Sequence, residues 1–227
     1  MSAMVHQLTH VFLLVYAGLF PIVNPVGNAP IFLALTRYCT DRERRALALR
    51  VAINGFFLLL GSLFVGSYVL EFFGITLPVL RIAGGVVVAA FGWTLLQAKE
   101  ELADQRTAET ARGPDAATDA FYPLTMPLTV GPGSISVAIT LGANQSHVGL
   151  RPFIVTLAGH LAGILLVTLT VFICYRYADT ILRKLGDVGT VVLERLAAFI
   201  LLCIGVQIVW NGVSALVGTL HVAPSAG

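Results

Sequence analysis

Charge is what this sequence has least of. Only 11% of its 227 residues are Asp, Glu, Lys or Arg, where a soluble domain carries about 25%. With 57% hydrophobic residues and a mean hydropathy of +0.86, the chain cannot be a soluble globular domain. It reads as a polytopic all-α membrane protein in contact with the lipid bilayer. The net charge of +2 points to no nucleic-acid partner, because the charges are confined to short loops. Cysteine is scarce too. Cys39, Cys174 and Cys203 are scattered, odd in number and without metal-ligand spacing, which leaves them as small apolar side chains and predicts no metal site. No Lys or Arg precedes the first apolar run, and no small-residue cleavage site follows it. That run therefore reads as a spanning helix and not a removable signal. No Asp or Glu sits centrally in any apolar segment; Glu71 and Glu194 lie at ends. A carboxylate proton relay is thus excluded, and with it the usual chemistry of a drug/proton antiporter. There is no phosphate loop, HExxH or nucleophile elbow, so the expectation is a non-enzyme without a cofactor.

What is present is long apolar sequence. Six segments are expected, at about 8–35, 46–70, 80–98, 120–141, 152–175 and 194–217. The one long polar stretch, 99–119, reads as a cytoplasmic linker between a first three-helix half (1–98) and a second (120–227). Because three is odd, the second half must cross the membrane in the opposite sense, which makes similar halves an inverted repeat. Arg81 and Arg195, and Gly92 and Gly205, echo each other across the halves. Thr40, followed by Glu43 three residues on, predicts a capping box at the start of the second helix. With the N-terminus outside, twelve of the fourteen Lys and Arg fall inside (Arg37, Arg42, Arg44, Arg45, Arg50, Lys99, Arg106, Arg112, Arg176, Arg183, Lys184 and Arg195). Only Arg81 and Arg151 remain outside. Both termini are expected to be extracytoplasmic.

Two stretches organise these halves. FPIVNPVGNAPIFLALT at 20–36 is echoed by YPLTMPLTVGPGSISVAIT at 122–140. Each opens aromatic-Pro, repeats Pro four residues on (Pro21 and Pro25, Pro123 and Pro127) and then has glycine (Gly27; Gly131 and Gly133). Proline and glycine interrupt a helix. A break at membrane depth is tolerated only where protein or a water-filled cavity satisfies the freed backbone. Matched breaks in two halves are a pointer to a transporter's binding site. The half-helix after a break offers free N–H groups to an anion, and the one before it offers carbonyls to an ammonium or small cation. Asn24, Asn28, Thr125, Thr129, Ser134 and Ser136 flank the breaks, and Gly27, Gly131 and Gly133 leave room for close approach. The structural alternative is that these groups only tie down backbone around proline kinks. Asn54 and His160 lie in mid-helix and align when the halves are shifted by 106. His160 reads either as a proton carrier or as a neutral interhelical hydrogen-bond partner. Gly159 and Gly163, with Ala158 and Ala162, form a small-residue packing face, as do Gly84, Gly85, Ala89 and Gly92. Gln207 and Asn211, late in the sixth helix, read as vestibule or headgroup contacts.

The motifs NPVGNAPIFLALT and PLTMPLTVGPGSIS, with LRIAGG at 80–85, resemble the MarC family of six-helix membrane proteins over essentially the whole chain. The resemblance implies a multi-pass protein of a bacterial inner membrane, distantly related to LysE-type amino-acid exporters. It also implies transport of a small-molecule substrate of the glycine and alanine class. Carried over by position, the substrate site falls on Asn24, Pro25, Gly27 and Asn28 facing Thr125, Gly131, Pro132, Gly133 and Ser134. Coupling to protons or to sodium stays open, with His160 and Asn54 as the coupling candidates. Homo-oligomerisation also stays open. The competing expectations are an exporter of another small solute and a non-transporting membrane assembly or regulatory protein.

Overall fold

The computed structural model describes residues 2–97, 119–143 and 150–221. The expected linker falls outside them except for Asp119. Among the described residues there is no strand, and the chain is helical throughout. The helices are α1 (Ser2–Val23), α2 (Pro25–Leu35), α3 (Asp41–Phe72), α4 (Leu77–Gln97), α5 (Pro132–Ala143), α6 (Leu150–Arg176) and α7 (Ala178–His221).

Five of them are long and apolar enough to cross a membrane, with spans Met4–Val23, Asp41–Phe72, Leu77–Gln97, Pro152–Arg176 and Val188–Gly218. As expected, the first and fourth segments are interrupted. The fourth segment is divided into a turn, a π-helical turn at Leu124–Thr129, and α5. At 12 residues, α5 is about 18 Å long against a hydrocarbon core of about 30 Å. The cause is local composition, since Pro123, Pro127 and Gly131 precede α5 and no α-helix runs through them, while Pro132 takes its first position. The sixth helix differs as well. A short helix begins at Ala178, and Gly186, with a non-helical φ of 68° that glycine adopts readily, separates it from the spanning stretch Val188–Gly218, which begins a few residues before the expected 194.

α3 starts at Asp41 with the expected capping box. Thr40 Oγ1 accepts from the Glu43 N–H, and the Glu43 carboxylate accepts from the Thr40 N–H at 2.7 Å. The Arg44 guanidinium donates to the Thr36 and Cys39 carbonyls, both at 3.3 Å, closing the end of α2.

Packing is set by small residues. The most extensive interface joins α4 and α7, where a β-carbon on Gly205 would lie 2.3 Å from the Ala89 backbone nitrogen and one on Gly92 2.6 Å from that of Leu202. Gly159 and Gly163 of α6 seat Val11 and Val15 of α1, as the sequence suggested. Gly66 of α3 seats Ile139 of α5. Taken as whole segments, α1 and α2 pack on α6 and α7, while the second break and α5 pack on α3 and α4. The outward faces carry exposed Phe57, Val65, Trp93, Leu165 and Trp210, as suits surfaces solvated by lipid tails.

Candidate functional site

The first break is a single residue. α1 runs through Pro21 to Val23, and the Asn24 N–H still bonds the Phe20 carbonyl at 2.9 Å. Asn24 then turns left-handed (φ 47°, ψ 56°), a conformation asparagine tolerates better than most residues. Pro25 follows at the first position of α2, where its missing N–H is harmless. Asn24 Oδ1 caps the new helix by accepting from the Gly27 N–H at 3.2 Å. A β-carbon on Gly27 would lie 2.4 Å from Asn24 Nδ2, so the glycine leaves room for the cap.

The second break is longer. The Tyr122–Pro123 and Met126–Pro127 peptides are cis, and Met126 is extended. Bonds skip five residues: Thr125 Oγ1 donates to the Ala120 carbonyl at 2.6 Å, Thr129 Oγ1 to Leu124 at 2.7 Å, and the Val130 N–H to Thr125 at 2.8 Å. Beyond it, Ser134 Oγ donates to the Gly131 carbonyl at 2.9 Å in the first turn of α5. Ser136 Oγ reaches the Leu80 carbonyl of α4 at 3.2 Å, across the space left by Gly84.

One side chain joins the two. Asn28 Nδ2 donates to the Val23 carbonyl at the end of α1 and to the Leu128 carbonyl in the second break, both at 2.9 Å. Beneath this bridge, Tyr175 of α6 stacks on Phe32 of α2, with ring centroids 4.3 Å apart and an interplanar angle of 16°. The Tyr175 hydroxyl shares a 2.9 Å hydrogen bond with Thr129 Oγ1. It also stands beside the Asn28 amide, yet Asn28 Oδ1 has no hydrogen-bond partner. Asn28 is 2% exposed, and Phe32, Thr125 and Tyr175 are fully buried.

Of the residues singled out in the sequence, Pro25, Gly27, Asn28, Thr125, Gly133 and Ser134 are buried, Asn24 and Gly131 are half-buried, and Pro132 is exposed. The space beside Gly133 is filled by Val88. The buried polar set around the breaks is made of amides and hydroxyls, with no carboxylate, ammonium or guanidinium. Among the described residues, no three His, Cys, Asp or Glu stand together as a metal site would need. His160 is elsewhere. Its Nδ1 pairs with the Thr156 carbonyl at 2.7 Å, and its ring reaches the Leu141 backbone, about 15 Å along α5 from Gly131. Asn54 is half-buried on α3, next to Gly55, which packs on Val130 of the second break. Tyr175 and Phe32 escaped the sequence reading. The one available signal was general, that a buried tyrosine needs a partner for its hydroxyl.

Comparison with known proteins gives one answer along nearly the whole chain. The family described as MarC family integral membrane protein matches residues 9–217. The UPF0056 inner membrane protein MarC of Salmonella paratyphi A is 34% identical over 216 residues, covering 89% of this chain and 94% of the relative. The UPF0056 membrane protein YvbG of Bacillus subtilis is 33% identical over 203 residues, covering 89% and 93%. No solved structure matches the chain.

Proposed function

The chain belongs to the MarC family of integral membrane proteins, and from that premise we propose that it is a secondary transporter of small neutral amino acids, of the glycine and alanine class. It works by alternating access around the two helix breaks, and its reaction involves no covalent step. The observation that carries this reading is the Asn28 bridge, through which two breaks from opposite halves meet in a buried, uncharged, polar centre. A site built from backbone, amides and hydroxyls suits a zwitterion no larger than alanine. The start of α5, with the N–H groups of Gly133 and Ser134, suits its carboxylate.

The exchange pattern of helix contacts supports an inverted repeat. The same packing supports an orientation. The Phe32–Tyr175 stack puts the basic 37–50 and 176–184 stretches at one end of the bundle. Arg195 donates to the Leu96 carbonyl, at the end of α4 that leads into the polar linker with Lys99, Arg106 and Arg112. That end is cytoplasmic and both termini are extracytoplasmic.

The test is uptake of labelled glycine and alanine into vesicles containing the purified protein, under imposed proton and sodium gradients in turn. Saturable uptake is expected, and the stimulating gradient names the coupling ion. A second reading, a non-transporting membrane protein with two structural kinks, is favoured by one fact. The donors of Thr125, Thr129, Ser134 and Asn28 are all engaged by backbone carbonyls. Folded protein that shows neither uptake nor stabilisation by solute supports that second reading.

A further inference from the structure

Exposed and half-buried hydroxyls in the spans are satisfied inside their own helices. Thr9, Ser62, Thr94 and Thr170 each donate to the carbonyl four residues back, at 2.7–2.9 Å. A pair of amides on α7 is left differently. Gln207 and Asn211 are exposed, and Gln207 Nε2 donates to Asn211 Oδ1 at 2.9 Å. That bond uses one of the pair's four N–H hydrogens and one of its two amide oxygens. Gln207 Oε1 and Asn211 Nδ2 keep an acceptor and donors that no other described residue engages. Gln207 stands about 16 Å from the Gly218 end of the span Val188–Gly218, where lipid tails offer no hydrogen bond. The residues around it are patterned. Ile200, Cys203, Gln207, Trp210, Ser214 and Val217 recur at alternating intervals of three and four residues, and all are exposed. That is the spacing of a coiled-coil seam. The buried Ala198, Gly205 and Gly212 lie on a different face, with Gly205 against Ala89 and Gly212 against Pro78 of α4. α7 therefore carries one stripe filled by α4 and a second that faces outward, with the amides along it.

We propose that this outward stripe is the interface with a second copy of the chain, the two α7 helices packing side by side. Copies in one membrane share an orientation, so the two-fold axis runs along the membrane normal and the paired helices are parallel. The occupant follows from the amides. A donor and an acceptor left over on the same pair make it self-complementary, so that Asn211 Nδ2 of each chain meets Gln207 Oε1 of the other, one bond in each direction. Amides join membrane helices in this way, and a polar position within an apolar seam fixes its register. The interface is independent of what the molecule carries.

A native cysteine supplies the test. Cys203 is exposed on the stripe, whereas Cys39 is half-buried and Cys174 buried, and a parallel pair brings the two Cys203 thiols to the same height. Purified protein in vesicles at low protein density is treated with copper phenanthroline, a lipid-soluble oxidant that takes two electrons and two protons from a pair of thiols and joins the sulfurs. A short bis-maleimide replaces it in a parallel sample to bridge thiols held slightly apart. A covalent dimer is expected. Cys203→Ala should abolish it, and Leu165→Cys in that background, an exposed site on α6, should not restore it. Gln207→Leu keeps an apolar side chain in the seam and removes the cross-chain bonds. The dissociation constant of the dimer in detergent, by sedimentation equilibrium, should rise about five- to tenfold in that variant. Crosslinking through Leu165→Cys as efficient as through Cys203 would mean random collision and overturn the proposal. So would the absence of any Cys203 crosslink with both reagents, or a dimer that Gln207→Leu leaves unchanged or tightens, the result expected if the amides only meet lipid headgroups.

Discussion

Substitution of Asn24 separates a broken first helix from a continuous one by sign alone. Inside an ordinary helix, alanine is better than glycine by about 1 kcal/mol. Asn24 should invert that order. Its φ of 47° lies in the left-handed region, where a β-carbon costs about 1–2 kcal/mol and glycine nothing. Its Oδ1 cap on the Gly27 N–H is worth about 0.5–2 kcal/mol relative to alanine but only a few tenths relative to glycine. Taken together, Asn24→Ala should destabilise by about 2–3 kcal/mol and Asn24→Gly by less than about 1 kcal/mol. The assay is denaturant or thermal unfolding of both variants in the same detergent, read against wild type. An alanine variant more stable than the glycine variant would mean that α1 and α2 are one helix, and the geometry of the first break would be wrong.

Further tests address the packing and the orientation. Gly205→Ala places a β-carbon 2.3 Å from the Ala89 nitrogen, so α4 and α7 must part by about 1 Å, and a loss of about 1–3 kcal/mol is expected. Gly61 has nothing within 4 Å of the same position, and Gly61→Ala should be neutral or stabilise by up to about 1 kcal/mol; equal unfolding midpoints would contradict the close approach. Cys39, half-buried between α2 and α3, should react with a membrane-impermeant thiol reagent in inside-out vesicles and not in right-side-out ones. The reverse pattern would invert the topology.

How far the sequence could be read depended on whether the deciding group was a side chain. Both helix breaks were legible because Pro25, Gly27, Pro127 and Gly131 are poor residues for the interior of a helix. Which residue turns was not, since Asn24 and Gly27 both tolerate a left-handed backbone and only tertiary packing chose the asparagine. The division of the fourth segment was legible too, since its three prolines forbid one continuous helix. The short helix that opens α7, ahead of Gly186, was hidden. Arg183 and Lys184 look like a loop, yet they sit on the exposed side of a helix. Asn28 could be suspected, but its decisive partner is the Leu128 carbonyl, a group every residue has. Tyr175, near the end of α6, is fully buried, which nothing in its sequence position signals. His160 and Asn54 align between the halves, yet the His160 ring lies along α5 from the breaks and not at them.

Two of the contacts between the halves differ in kind, and the contrast has a mechanical consequence. Along α4 and α7 they meet backbone to backbone, with no side chain long enough to act as a spring. At the breaks, a single amide bonded to two carbonyls spans the gap. Pulling the first contact apart opens a void along a whole helix, whereas releasing the second exchanges one hydrogen bond between the halves. In the transport cycle proposed above, the α4–α7 seam would act as the axle and Asn28 as the latch, with opening beginning at the latch and the halves turning about the seam.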